Sequence, residues 1–169
     1  MHIAIAADHN GVELKNRLIG RLTEQGHEVD DRSAAFGSNN SGGNTGNSNS
    51  ADEIVDYPPL CADVCRQVVE GPADRGVVVG GSGLGETIVC NKVRGVRAGL
   101  CHDVWSAGIS RGNNDANVLV LAAKVLEPTA AEQILETWLD TPFKGGVHRR
   151  RLEQIAAIEQ ANQVDTTHA

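Results

Sequence analysis

The chain alternates short, unbroken apolar runs with longer stretches whose apolar residues recur every three or four positions. Ile3–Ala7, Val77–Val79, Val96–Cys101 and Val118–Leu121 are runs of the first kind, and His27–Asp30 is a more polar one. Runs this short, without polar alternation, read as strands buried on both faces. Val12, Leu14, Leu18, Ile19 and Leu22 mark an amphipathic helix that Gly26 closes. Pro58 and Pro59 open a second helix, running to about Glu70 with Leu60, Val64 and Val68 on one face. A third starts near Leu84 and runs through Lys92, and a fourth, with Asp103 as its N-cap, runs through Arg111. Pro128 begins a fifth, containing Ala131, Ile134, Leu135, Trp138 and Leu139, and the last begins near His148 with Leu152, Ile155, Ala156 and Ile158. This order predicts an α/β fold: a five-stranded parallel sheet between two layers of helices.

One interruption stands out. Ser33–Ala51 is almost entirely Gly, Asn and Ser, a composition that cannot offset its ordering entropy by burial, and it reads as a flexible surface insertion. The alternation resumes after it, so residues 1–161 form a single domain and 162–169 a frayed tail.

A net charge of −7, a pI near 5.3 and 3% aromatics argue against a nucleic-acid partner. No apolar run approaches the length of a membrane span, and the N-terminus lacks the pattern of a secretion signal, so a cytoplasmic protein is expected. The four cysteines do not have zinc-site spacing and are expected as buried, reduced thiols; no metal is expected.

The densest candidate chemistry is Val77-Val78-Val79-Gly80-Gly81-Ser82-Gly83-Leu84-Gly85-Glu86. Glycines let backbone amides approach a ligand, and a helix starting there turns its positive end to the same space. Amides that hold a developing oxyanion, beside a carboxylate that takes a proton, suit proton abstraction α to a carbonyl. The bland alternative is a glycine-rich turn that serves only packing. The dinucleotide fingerprint fails because Glu86 occupies the place of its third glycine, and no Gly-Lys-Ser/Thr follows to make a phosphate loop. Asp8 and His9 follow the first strand, where α/β sheets bind ligands, although Asp8 alone would also serve as an N-cap. Tyr57, the single tyrosine, either touches ligand or packs. Cys101 and His102 are adjacent on a strand and so point to opposite faces. His148-Arg149-Arg150-Arg151 puts positive charge at a helix start; a bound phosphate or a solvated cluster accounts for it.

Asp8-His9, Asp56-Tyr57-Pro58, the Gly80–Glu86 loop, the run from Asn91 to Ala98, Asn114-Asp115 and Gly145-Gly146 before His148 together resemble the ribose-5-phosphate isomerase B family, which includes the galactose-6-phosphate isomerase subunits. The resemblance covers about Met1 to Glu159 outside the insertion. It implies a Rossmann-like three-layer sandwich and a cofactor-free, metal-free aldose–ketose isomerase of sugar phosphates working through an enediolate. It also implies a homodimer or tetramer with sites shared between chains. Members use a cysteine before the glycine loop or a glutamate after it as base; Gly80 stands at the cysteine position, so Glu86 is the implied base. Ser82 and the amides of Gly81, Gly83 and Gly85 match the enediolate-binding groups. Asp8 matches a residue of ring opening and hydroxyl binding, with His148 the second candidate for ring opening. His9 and Arg151 match the phosphate region, and Asn114 a substrate-binding asparagine. Three positions depart from the family: Asn113 replaces a frequent histidine, Lys124 an arginine, and Val147 an arginine, with Arg149 or Arg150 as substitutes. Ribose 5-phosphate is the expected substrate. The alternatives are a four- or six-carbon relative (erythrulose 4-phosphate, or allose or galactose 6-phosphate), a non-catalytic phosphate-binding module, and a cofactor-dependent oxidoreductase.

Overall fold

The computed structural model describes residues 1–35 and 56–164. Five parallel strands run β1 (His2–Ala7), β2 (Glu28–Asp31), β3 (Arg75–Gly80), β4 (Ala98–Leu100) and β5 (Val118–Ala122), in the sheet order β2-β1-β3-β5-β4. The helices are α1 (Val12–Glu24), α2 (Tyr57–Val69), α3 (Leu84–Cys90), α4 (Val104–Gly112), α5 (Pro128–Asp140) and α6 (Val147–Val164). The α/β sandwich expected from the apolar runs is the fold that forms.

Alternate strand residues feed two cores. Ile3, Ile5, Val77, Val79, Leu119 and Leu121 meet Leu14, Leu18 and Leu22 of α1, Ala107 of α4, and Ile134, Leu135 and Trp138 of α5. Ala4, Ala6, Val78, Val118 and Val120 meet Leu60, Cys61, Val64 and Cys65 of α2 and Cys90 of α3. Steps toward β2 and from β4 to β5 thus cross one face, and the two steps in the opposite direction cross the other. A right-handed β–α–β crossover requires this division. Helix α6 belongs to neither core. Its Leu152, Ile155 and Ile158 line a cavity of about 580 Å³ against Asn91–Ala98 and Asn114.

Several boundaries differ from the sequence expectation. β4 has only three residues: the Arg97 amide, which would extend it along β5, donates instead to Asn117 Oδ1 at 2.8 Å, and Asn91 Oδ1 accepts from Ala98 (3.0 Å) on the open edge of the strand. α3 stops at Cys90 rather than Lys92. Ser33, expected in a flexible insertion, belongs to a 3-10 turn, Arg32–Ala35, and its side chain is hydrogen-bonded. The rest of that insertion, residues 36–51, lies outside the described residues, as do 165–169 of the tail; residues 162–164 continue α6.

The expected cap of α4 forms as a capping box, with Asp103 Oδ1 accepting from the Ser106 amide at 2.7 Å. The Ser106 amide and hydroxyl hold the Asp103 carboxyl below its usual range. A depressed carboxylate stabilises the fold above its unfolded pKa and loses that contribution as pH falls through its folded one. Asp103→Ala is therefore expected to lower Tm at neutral pH, with the gap to wild type closing in acid; thermal melts across pH check both.

Candidate active site

The chain leaves β1 over one face of the sheet, into α1, and leaves β3 over the other, into α3, so the C-terminal ends of these neighbouring strands flank a crevice. Asp8 lies on one side of it. Its amide donates to the Val79 carbonyl at 3.1 Å, a final rung between the two strands. Its carboxylate, only 5% exposed, accepts from the amides of Asn10 (2.9 Å) and Gly11 (3.1 Å) through Oδ1 and from Asn10 Nδ2 (3.1 Å) through Oδ2. Gly11 is the N-cap of α1, and Asp8 braces the turn before it. Asn10 Nδ2 also lies 3.1 Å from His9 Nε2, and a Cβ on Gly81 would come within 3.2 Å of it. One amide side chain thus couples Asp8, His9 and the glycine loop. His9 Nδ1 is buried and has no hydrogen-bond partner among the described residues.

The glycine loop forms the other side. Gly83 adopts φ 73°, the left-handed turn that starts α3, and a Cβ there would sit 2.5 Å from a Leu100 methyl. Ser82 is exposed, its Oγ accepting from the Leu84 amide at 3.3 Å. Tyr57 Oη would lie 2.6 Å from a Cβ on Gly85, so the phenol rests on the backbone at the start of α3. Glu86 folds back over the end of β3. A Cβ on Gly80 would overlap its carboxylate, so the glutamate uses the room that the glycine leaves. Only 4% of Glu86 is exposed. Withdrawal from water raises its pKa, its own backbone amide opposes this, and the charge of Asp8 adds to the rise. The Gly80 and Gly81 carbonyls accept from the amides of Ala123 (2.8 Å) and Lys124 (3.0 Å), bringing exposed Lys124 to the same loop.

Nine of the twelve residues singled out from sequence therefore share this end of the sheet: Asp8, His9, Tyr57, Gly81, Ser82, Gly83, Gly85, Glu86 and Lys124. Asn114, His148 and Arg151 do not. Asn114 precedes β5, at the opposite end, and α6 starts beside it: the Lys144 amide and Nζ donate to Gly112 O (2.9 Å) and Asn113 Oδ1 (3.0 Å). The turn carrying Asn114 is firmly held. Asp115 has φ 45° and its carboxylate pairs with Arg97 (3.0 Å) and Arg111 (2.8 Å). Arg149 stacks on Phe143, 5.8 Å from the ring centre, while Arg151 is exposed.

The four cysteines are free and buried. Burial pushes the Cys101 thiol up to about 11, which removes it as a nucleophile at neutral pH. Among the described residues no cluster of three or more His, Cys, Asp or Glu has the arrangement to hold a metal ion, and no helix is long and apolar enough to cross a membrane. Sequence reading missed Asn10; its only signal was its place between His9 and Gly11.

A buried, pKa-raised carboxylate, a hydroxyl and loop amides around a polar crevice form a site for moving a proton on a small oxygenated substrate. Known proteins resemble the chain over nearly its whole length. Residues 3–155 match the family model described as Ribose/Galactose Isomerase. The Escherichia coli (strain K12) ribose-5-phosphate isomerase B is 35% identical, the match covering 94% of this chain and 96% of that protein. The D-erythrulose-4-phosphate isomerase of Pectobacterium atrosepticum is 34% identical, with 94% and 95% covered. The solved structure of Clostridium thermocellum ribose-5-phosphate isomerase B superimposes with a TM-score of 0.83 at 39% identity, covering 96% of this chain and 100% of that one. With the crevice, the fold and these matches in agreement, the chain belongs to the ribose/galactose isomerase family.

Proposed function

We propose that the protein interconverts aldose and ketose sugar phosphates through an enediolate, with ribose 5-phosphate and ribulose 5-phosphate as the preferred pair. The observation that carries this reading is the Glu86 carboxylate, buried beside the glycine loop with its pKa raised. Glu86 removes the proton from C2 of the aldose and returns it to C1, while the hydroxyl proton on O2 passes to O1, leaving the ketose. Ser82 and the amides of Gly81, Gly83 and Gly85 stabilise the enediolate oxygens. His9, Lys124 and Arg151 hold the phosphate, Asn114 binds the sugar, and Tyr57 closes the loop side. Asp8 and His148 assist ring opening of a cyclic substrate. A positioned base contributes roughly 10²–10⁴-fold, and each oxyanion donor roughly 10²–10³-fold.

Asn114, His148 and Arg151 reach this crevice only from a second copy of the chain, which makes the working unit a homodimer. Two observations support that assembly. Leu84 (63% exposed) and Trp105 (71% exposed) leave apolar surface at the glycine-loop end. Ile155 and Ile158 leave more on α6, beside Asn114. A two-fold axis joins one kind of patch to the other twice and builds two equal sites.

The frequent family histidine is Asn113 here, and its amide oxygen is already bonded to Lys144. This favours keeping the acyclic four-carbon substrates as the second reading, since they need no ring opening. An NMR screen of four- to six-carbon aldose and ketose phosphates tests the substrate: interconversion of ribose and ribulose 5-phosphates is expected, and turnover confined to the four-carbon pair would select the second reading.

Glu86→Gln is expected to lower kcat by at least roughly 10²-fold with the fold intact. Retention of most activity removes Glu86 as base. The same variant has a stability signature. A carboxyl with a raised folded pKa is penalised once ionised, so Glu86 costs stability as pH rises through that pKa and nothing below the unfolded glutamate range, about pH 4. Glu86→Gln should therefore raise Tm at neutral pH and leave it unchanged in acid, which melts at several pH values will show.

Co-expressed Glu86→Gln and Asn114→Ala chains, each inactive alone, are expected to recover roughly a quarter of wild-type activity, because half the dimers are mixed and each contains one intact site. No recovery in demonstrably mixed dimers rejects the two-chain site.

A further inference from the structure

Lys15 is a lysine with none of its side chain exposed. It lies on the inward face of α1 beside Leu14, Leu18 and Leu22, and unlike most lysines it does not carry its charge out to bulk water. Its ammonium ends 2.5 Å from Asp31 Oδ2 and 3.3 Å from Ser33 Oγ.

These partners lie where the sheet runs out. β2 stops at Asp31, which pairs with Ile5, but β1 continues to Ala7. The Ala7 amide has passed the end of β2, and it donates to Ser33 Oγ at 3.1 Å. The Ser33 hydroxyl thus stands in for the missing strand. Ser33 is fixed in turn by its own amide, which donates to Asp31 Oδ1 at 3.0 Å. From the other face, Arg32 ties the same turn to Asp63 of α2 at 2.7 Å. The residue after Ala7 is Asp8, whose amide bonds across to Val79. Lys15, Asp31 and Ser33 therefore fix the outer edge of the last residue before the crevice, and the Asp8–Val79 rung fixes the inner edge.

A buried ion pair adds little net stability over an apolar pair of the same shape, so stability is a weak reason for a charge here. Holding one geometry is a better one. We propose that Lys15 is a positioning residue for the active site: through Asp31 and Ser33 it sets where β1 ends and hence where Asp8 and His9 stand in the crevice. This rests on the reading of Asp8 as part of the sugar-phosphate site.

The experiment uses Lys15→Met, Ser33→Ala and Ser33→Thr in the full chain, each alone and combined with Asp8→Asn. Two quantities are read: kinetics on the wild-type substrate, and hydrogen exchange at the Ala7 and Asp8 amides. Lys15→Met and Ser33→Ala are expected to speed exchange at both amides about tenfold or more and to lower kcat by about tenfold with a smaller change in KM, while Ser33→Thr, which keeps the hydroxyl, behaves like wild type. In the Asp8→Asn background the two damaging substitutions should add less than about twofold, because they act through the residue already changed. Unchanged exchange at Ala7 and Asp8, or full additivity with Asp8→Asn, overturns the proposal. Ser33→Ala leaves the ion pair in place and decides the matter if Lys15→Met does not fold. Should wild type turn over no sugar phosphate, the isomerase reading fails, while amide exchange still reports on Lys15.

Discussion

The site depends on a packing relation between two residues six positions apart. Gly80 has no side chain, and the Glu86 carboxylate lies in the space a Cβ would need. The strand must therefore end in glycine for the carboxylate to be buried over it, and the helix must start three residues later for the glutamate to reach back. That start is made by Gly83 in a left-handed turn. Burial gives the carboxylate its raised pKa, with Asp8 across the crevice adding to it. A carboxyl tuned upward is a better base near neutral pH than a solvated one and a less comfortable one in the folded protein. The chemistry and its energetic cost have the same origin.

The sheet supplies the frame. Its order places β1 and β3 side by side with their crossovers on opposite faces, and the crevice opens where they part. One strand end brings Asp8 and His9, the other the glycine loop, and the β5–α5 connection closes against that loop through Ala123 and Lys124. The opposite end holds Asn114 in a turn fixed by Arg97 and Arg111, beside the start of α6. A helix that joins neither core, with isoleucines turned outward, fits a role between chains.

Much of this was legible in the residues. The unbroken valine run and the glycines after it located β3 and its loop, and the apolar spacing located each helix. Asn114 precedes a strand whereas Asp8 and Glu86 follow theirs, but the separation this makes across a parallel sheet emerged only with the structure. What was hidden depended on partners distant in sequence. β4 has half its expected length, with the Arg97 amide before it bonded to the side chain of Asn117. Lys15 reads as a surface charge on an amphipathic helix until Asp31 and Ser33 are brought to it. Ser33 looked like the first residue of a polar insertion, and its hydroxyl turned out to finish a strand. Sheet order, with β5 between β3 and β4, leaves no local mark at all.

The central claim is that a protein carboxylate carries the substrate proton from one carbon to its neighbour. Running the aldose phosphate through the wild-type enzyme in heavy water, and reading the ketose phosphate by proton and deuterium NMR, tests it directly. A base exposed to exchange during the enediolate's lifetime predicts solvent deuterium at C1 of the ketose. Interconversion held at equilibrium for many turnovers with no deuterium entering either sugar phosphate would point instead to direct transfer of hydrogen between the carbons, and would contradict the role given to Glu86.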